Sequence, residues 1–72
     1  MGLSSDSAKA IANLGVDMII TAETKYATEN VIEIVQIVRS KGRHITVHAG
    51  SRSSESMKEI AKVGGTHVTI SI

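Results

Sequence analysis

Three times along this chain a stretch with helical spacing runs into glycine and then into a short β-rich run, and that order restricts the fold more than any single motif does. In the first unit Ser4, Ser5, Asp6 and Ser7 precede Ala8, Ile11, Ala12 and Leu14, and Gly15 follows. Serine and aspartate oxygens accept from the unpaired N–H groups of a first helical turn, and glycine ends a helix by entering the left-handed region. Met18, Ile19 and Ile20 then predict a buried strand from about Asp17 to Thr21. The stretch from Thr28 to Lys41 is rich in β-branched residues, which by propensity alone would favour a strand. Spacing decides otherwise. Asn30, Glu33, Gln36 and Ser40 recur at intervals of three and four, leaving Val31, Ile32, Ile34, Val35, Ile37 and Val38 as a wide apolar face. Gly42 ends that helix, and His44-Ile45-Thr46-Val47-His48 alternates as a strand does. Ser53, Ser54 and Glu55 open a third helix with Met57, Ile60, Ala61 and Val63 on one face; Gly64-Gly65 closes it, and Thr66 to Ser71 reads as the third strand.

The chain therefore reads αβαβαβ, a single α/β unit over residues 1–72 with three parallel strands joined by right-handed crossovers. Such a unit has a supply problem. With 72 residues, 42% hydrophobic content, one aromatic and no disulfide-forming cysteine, its core is thin. Three helices protect one face of a three-stranded sheet and leave two edges and the other face open. Closure into a barrel removes edges, so a fragment or subunit of a (β/α)8 (TIM) barrel fits, either as a homo-oligomer or beside the remainder of a barrel. The formal charge of +1 comes from scattered residues and leaves no footprint for nucleic acid. No apolar run approaches a membrane span, so no membrane partner is expected and a cytoplasmic setting is the default. Neither GxGxxG nor GxxxxGK[ST] occurs, and no cofactor is expected.

Parallel α/β sheets place ligands beyond the carboxyl ends of their strands. Thr21-Ala22-Glu23-Thr24-Lys25-Tyr26, then His48-Ala49-Gly50-Ser51-Arg52-Ser53-Ser54, and Ser71 share that rim. Gly50, Ser51, Arg52 and Ser53 open directly into a helix. They offer free N–H groups, a positive dipole end and a guanidinium fork to a phosphate or carboxylate. The plainer alternative is a serine cap with a solvated arginine. Lys25 is the candidate Schiff-base amine and Glu23 the candidate acid or base. His48 stands without partner ligands of the kind zinc needs, so it is read as a hydrogen-bonded histidine and no metal is expected. His44 and His67 begin their strands and belong to the opposite end, as stability residues.

Residues 4–22 and 53–71 echo each other at an offset of 49, with Ser4/Ser53, Ser5/Ser54, Ser7/Ser56, Lys9/Lys58, Ile11/Ile60, Ala12/Ala61 and Gly15/Gly64 identical. Similar helix-glycine-strand units need similar capping and core residues, which accounts for the echo; a duplication is the alternative reading.

From Ala10 onward the chain resembles the C-terminal third of transaldolases and fructose-6-phosphate aldolases, which are (β/α)8 barrels. The closest stretch is VHAGSRSSESMKEIAKVGGTHVTIS, with Ala49, Arg52, Gly64, Thr69, Ile70 and Ser71 as the matching positions. The resemblance implies that Arg52 holds a sugar phosphate, making a small phosphorylated sugar the expected partner. The family's Pro-Phe-x-Gly-Arg stretch has no counterpart in ITAETKY, and its Schiff-base lysine lies on an earlier strand. What is implied is a phosphate-binding barrel segment, not catalytically complete alone; any activity would be of aldolase type on sugar phosphates. The alternatives are a non-catalytic structural or assembly module, and a metal-dependent hydrolase fragment. For the latter, Thr46-Val47-His48-Ala49-Gly50 resembles the strand of amidohydrolases that carries a metal-binding histidine.

Overall fold

The computed structural model describes residues 4–72. Along it run α1 (Ser5–Ala12), β1 (Met18–Ile20), α2 (Thr28–Ser40), β2 (Ile45–His48), α3 (Ser54–Gly64), a single 3-10 turn (Gly65–His67) and β3 (Val68–Ser71). This is the expected αβαβαβ order. The strands form one sheet in the order β1-β2-β3, and both pairs are parallel.

Helix starts follow from local hydrogen bonding. Ser4 Oγ accepts from the Ser7 N–H and Ser53 Oγ from the Ser56 N–H, each at 3.2 Å, satisfying one free donor of α1 and one of α3. No side chain caps α2; the Ala27 carbonyl accepts from the N–H groups of Asn30 and Val31 instead. Helical spacing prevails over β-branching in α2 because the tertiary structure covers that face. Val31, Ile34, Val35 and Val38 are fully buried, while Ile32 and Ile37 pack half-buried at its margins.

Side chains tie the helices together. The Lys9 ammonium lies 2.7 Å from the Glu33 carboxylate and donates to Asn30 Oδ1 at 3.2 Å, joining α1 to α2. Arg39 donates to the Val63 carbonyl at 2.8 Å, where the last turn of α3 leaves acceptors unpaired. The Asp17 carboxylate accepts from the His44 N–H at 2.9 Å, bracing the connections that enter β1 and β2.

The register divides the sheet into unlike faces. Met18, Ile45 and Val68 align across it, as do Ile20, Val47 and Ile70, and these six belong to or pack against the core with all three helices. The alternate residues Ile19, Thr46 and Thr69 point the other way, and Ile19 is 66% exposed. Among the described residues nothing covers that face. The molecule is thus two layers, 17 Å through its thinnest dimension. Among the described residues no helix is long and apolar enough to cross a membrane.

Candidate functional site

Parallel strands bring the segments after β1 and β2 to the same end of the sheet, and backbone contact holds them together there. Gly50 follows β2 with φ +56, in the left-handed region. A Cβ at this position would sit 2.9 Å from the Ala22 carbonyl oxygen and 3.3 Å from its Cα. Only glycine gives both the turn and the approach, so Gly50 fixes the spacing between the two segments. The turn is completed by the Arg52 N–H donating to the Ala49 carbonyl, and the Ala49 N–H donates to the Ser71 carbonyl, which carries the ladder one step past β2. On the other segment Thr21 and Thr24 close a turn through their backbones and their hydroxyls.

Between these segments lies a cleft of about 190 Å³, lined by Ala22, Thr24, Lys25 and Tyr26 on one side and His48, Ala49, Ser51 and Arg52 on the other. That volume is below the roughly 300 Å³ at which sites for drug-sized ligands begin, and suits a small polar group. Its lining holds Lys25, Arg52 and His48 and no carboxylate. The two ion pairs among the described residues, Lys9 with Glu33 and Lys58 with Glu55, leave Lys25 and Arg52 uncommitted. The Tyr26 hydroxyl donates to the Ser4 carbonyl at 3.2 Å, tying this wall back to the start of α1.

The predicted site residues distribute unevenly. Lys25, Ser51 and Arg52 are brought together in the cleft, and Gly50 shapes it from behind. Ser53 is placed outside the lining, its Oγ occupied in capping α3, and the exposed Glu23 also lies outside. Lys25 is exposed, so nothing buries its ammonium. His48 departs from its expected environment. It lines the cleft, and among the described residues its ring makes no hydrogen bond. It is the last residue of β2, on the uncovered face, with Ser71 of β3 opposite. Its alternation along β2 is visible in the sequence; the folding of the Ala22–Tyr26 segment toward it is not. His44 and His67 are at the other end and bonded, His44 to the Thr69 hydroxyl and His67 Nδ1 to the Arg43 carbonyl. Among the described residues no group of three or more histidine, cysteine, aspartate or glutamate side chains is placed to hold a metal ion.

No protein-family model, curated protein or solved structure matches this chain.

Proposed function

We propose that the rim cleft binds the phosphate of a small phosphorylated sugar, in a unit built as a segment of a (β/α)8 barrel. The observation that carries this reading is the meeting of Arg52 and Lys25, from two different loops, in a small cleft without a carboxylate. A guanidinium supplies a paired donor geometry that matches phosphate oxygens, and the ammonium adds a second charge. Ser51 contributes a hydroxyl, and the start of α3 contributes the positive end of its dipole. Sequential strand order with every helix on one face supports the barrel segment, because that is how consecutive strands and helices stand in the wall of such a barrel.

Titration with fructose 6-phosphate and with inorganic phosphate, followed by calorimetry, tests the site. Arg52→Gln removes the fork and its charge while keeping a polar side chain, and is expected to weaken binding by about tenfold or more. Equal binding by the variant, or none by the parent at millimolar ligand, overturns the reading. Lys25 as an amine nucleophile has its own test: borohydride in the presence of the sugar phosphate traps an adduct on Lys25 only if a Schiff base forms.

A second reading, a non-catalytic assembly module, is favoured by the uncovered sheet face and the two strand edges. Native mass spectrometry separates the cases, because a strictly monomeric chain rules out assembly between copies.

A further inference from the structure

We propose that His48 is a third ligand-binding side chain of the cleft, taking up a proton when a phosphate monoester binds and thereby selecting dianions over monoanions. This rests on the phosphate reading of the cleft and extends it from the kind of group bound to its charge. Three observations carry it. His48 lines the same small space as Lys25 and Arg52. Its ring makes no hydrogen bond among the described residues, whereas His44 and His67 are each bonded within the fold. Among the described residues no buried side-chain nitrogen or oxygen lacks a partner, so the unbonded ring nitrogens of this half-buried residue are open to solvent.

The groups facing His48 decide the direction of the effect. From the β1–α2 connection come Lys25 and Tyr26, and from the β2–α3 loop Arg52. Ser71 stands opposite on β3, and Thr46 and then His44 follow along the same face of β2. With the cleft empty, Lys25 and Arg52 set two positive charges beside the ring. A bound dianion cancels those two charges and lies against the ring, which favours the imidazolium, whose two ring nitrogens both become donors. A monoanion cancels only one of the two neighbouring charges and leaves the other beside the ring, so it favours protonation less. The proton comes from the medium and returns to it on release; no bond of the ligand is made or broken. By linkage, binding that takes up a proton weakens as pH rises. It weakens again on the acid side, as a monoester loses its second charge near pH 6.

Calorimetry on the full chain with glycerol 3-phosphate, at about pH 7.5 where the ester is dianionic, measures the proton directly when repeated in buffers of different ionisation enthalpy. The expected result is fractional proton uptake with the parent chain and none with His48→Gln, whose affinity is about tenfold lower. Methyl sulfate, a permanent monoanion, binds more weakly and takes up a smaller fraction of a proton. Proton NMR of the parent chain needs no variant: one histidine C2–H titration of three moves to higher pH with glycerol 3-phosphate, while those of His44 and His67 stay in place. If glycerol 3-phosphate binds and Arg52→Gln abolishes binding, but no proton is taken up and no histidine titration moves, the role of His48 is wrong and the phosphate site stands. If the parent chain binds no phosphate ester, both fall together.

Discussion

The first and third helix–strand units share seven residues of sequence, yet they do not superpose along their whole length. Ser4 and Ser53 cap α1 and α3 identically, so the helix starts stand 49 residues apart. The strands stand 50 apart, because Met18 and Val68 both align with Ile45, and Ile20 and Ile70 both align with Val47. The additional residue is taken up between helix and strand. After Ala12 the first unit reaches β1 through irregular chain, whereas α3 runs on to Gly64 and passes through a 3-10 turn before β3. Since side chains alternate faces along a strand, one residue is the whole difference between core and open face. Had β3 kept the helix offset, His67 and Thr69 would occupy the core positions of Met18 and Ile20. The shared residues therefore record common needs of capping and helix packing, while register is set by the geometry of each connection.

Deleting Gly65 breaks the comparison most severely. It removes the residue that restores register, so either Val68 and Ile70 turn away from the core or the last turn of α3 unwinds. The expected outcome is loss of a cooperative urea transition, or destabilisation beyond about 3 kcal/mol. Inserting one glycine between Gly15 and Val16 lengthens a connection that has no regular structure, and is expected to cost under about 1 kcal/mol. Equal losses would show that the two connections are alike and that register has another origin.

The aligned glycines sharpen the same point. Gly64 is buried, and a Cβ there would lie 2.7 Å from Cβ and Cγ1 of Val68 and 3.0 Å from Cγ1 of Val35. Gly15 has φ +82 and nothing within 4 Å. Gly64→Ala must push β3 or α2 away and is expected to cost about 3 kcal/mol. Gly15→Ala meets only backbone strain, about 1 kcal/mol. Thermal unfolding of the two variants checks the contrast, and a reversed order would place the close packing at the wrong glycine.

Element order was legible because spacing carries it: α2 declares itself through Asn30, Glu33, Gln36 and Ser40 even though its apolar residues favour strands. Gly64 was legible only as a stop. In the fold it is the last helical residue, and its small size serves packing against Val68, a contact nothing in the local sequence announces. The third strand was expected from Thr66 but begins at Val68, since the 3-10 turn intervenes. At the rim, Arg52, Ser51 and Lys25 were legible from their places after strand ends. The alternation His44-Ile45-Thr46-Val47-His48 puts His48 opposite Ile45 and Val47, but nothing in it announces a cleft in place of a hydrogen-bonded setting, because the loop that makes the cleft comes from residues 22–26. Ser53 shows the reverse: a hydroxyl in an anion-binding pattern whose oxygen serves the helix.

The aligned lysines give the smallest effect and the finest test. Lys9 has only 21% of its side chain exposed and meets Glu33 of a different helix at 2.7 Å, whereas Lys58 meets Glu55 of its own helix at 3.6 Å with both side chains largely in water. The hydrogen bond to Glu33 holds the Lys9 pKa above the ordinary 10.5, against partial desolvation and with help from the charges of Glu33, Asp6 and Glu29. A folded-state value above the unfolded one stabilises the protein fully below pH 10.5, and the contribution fades as pH rises through the raised value. Lys9→Gln is therefore expected to lower the urea midpoint by a constant amount from neutral to mildly alkaline pH, with the gap to the parent closing only in strong alkali. Lys58→Gln is expected to leave the midpoint unchanged throughout, as exposed pairs within one helix contribute little. Should the two variants behave alike, α1 is not anchored to α2 through its lysine, and the echoed residue has the same solvated role in both units.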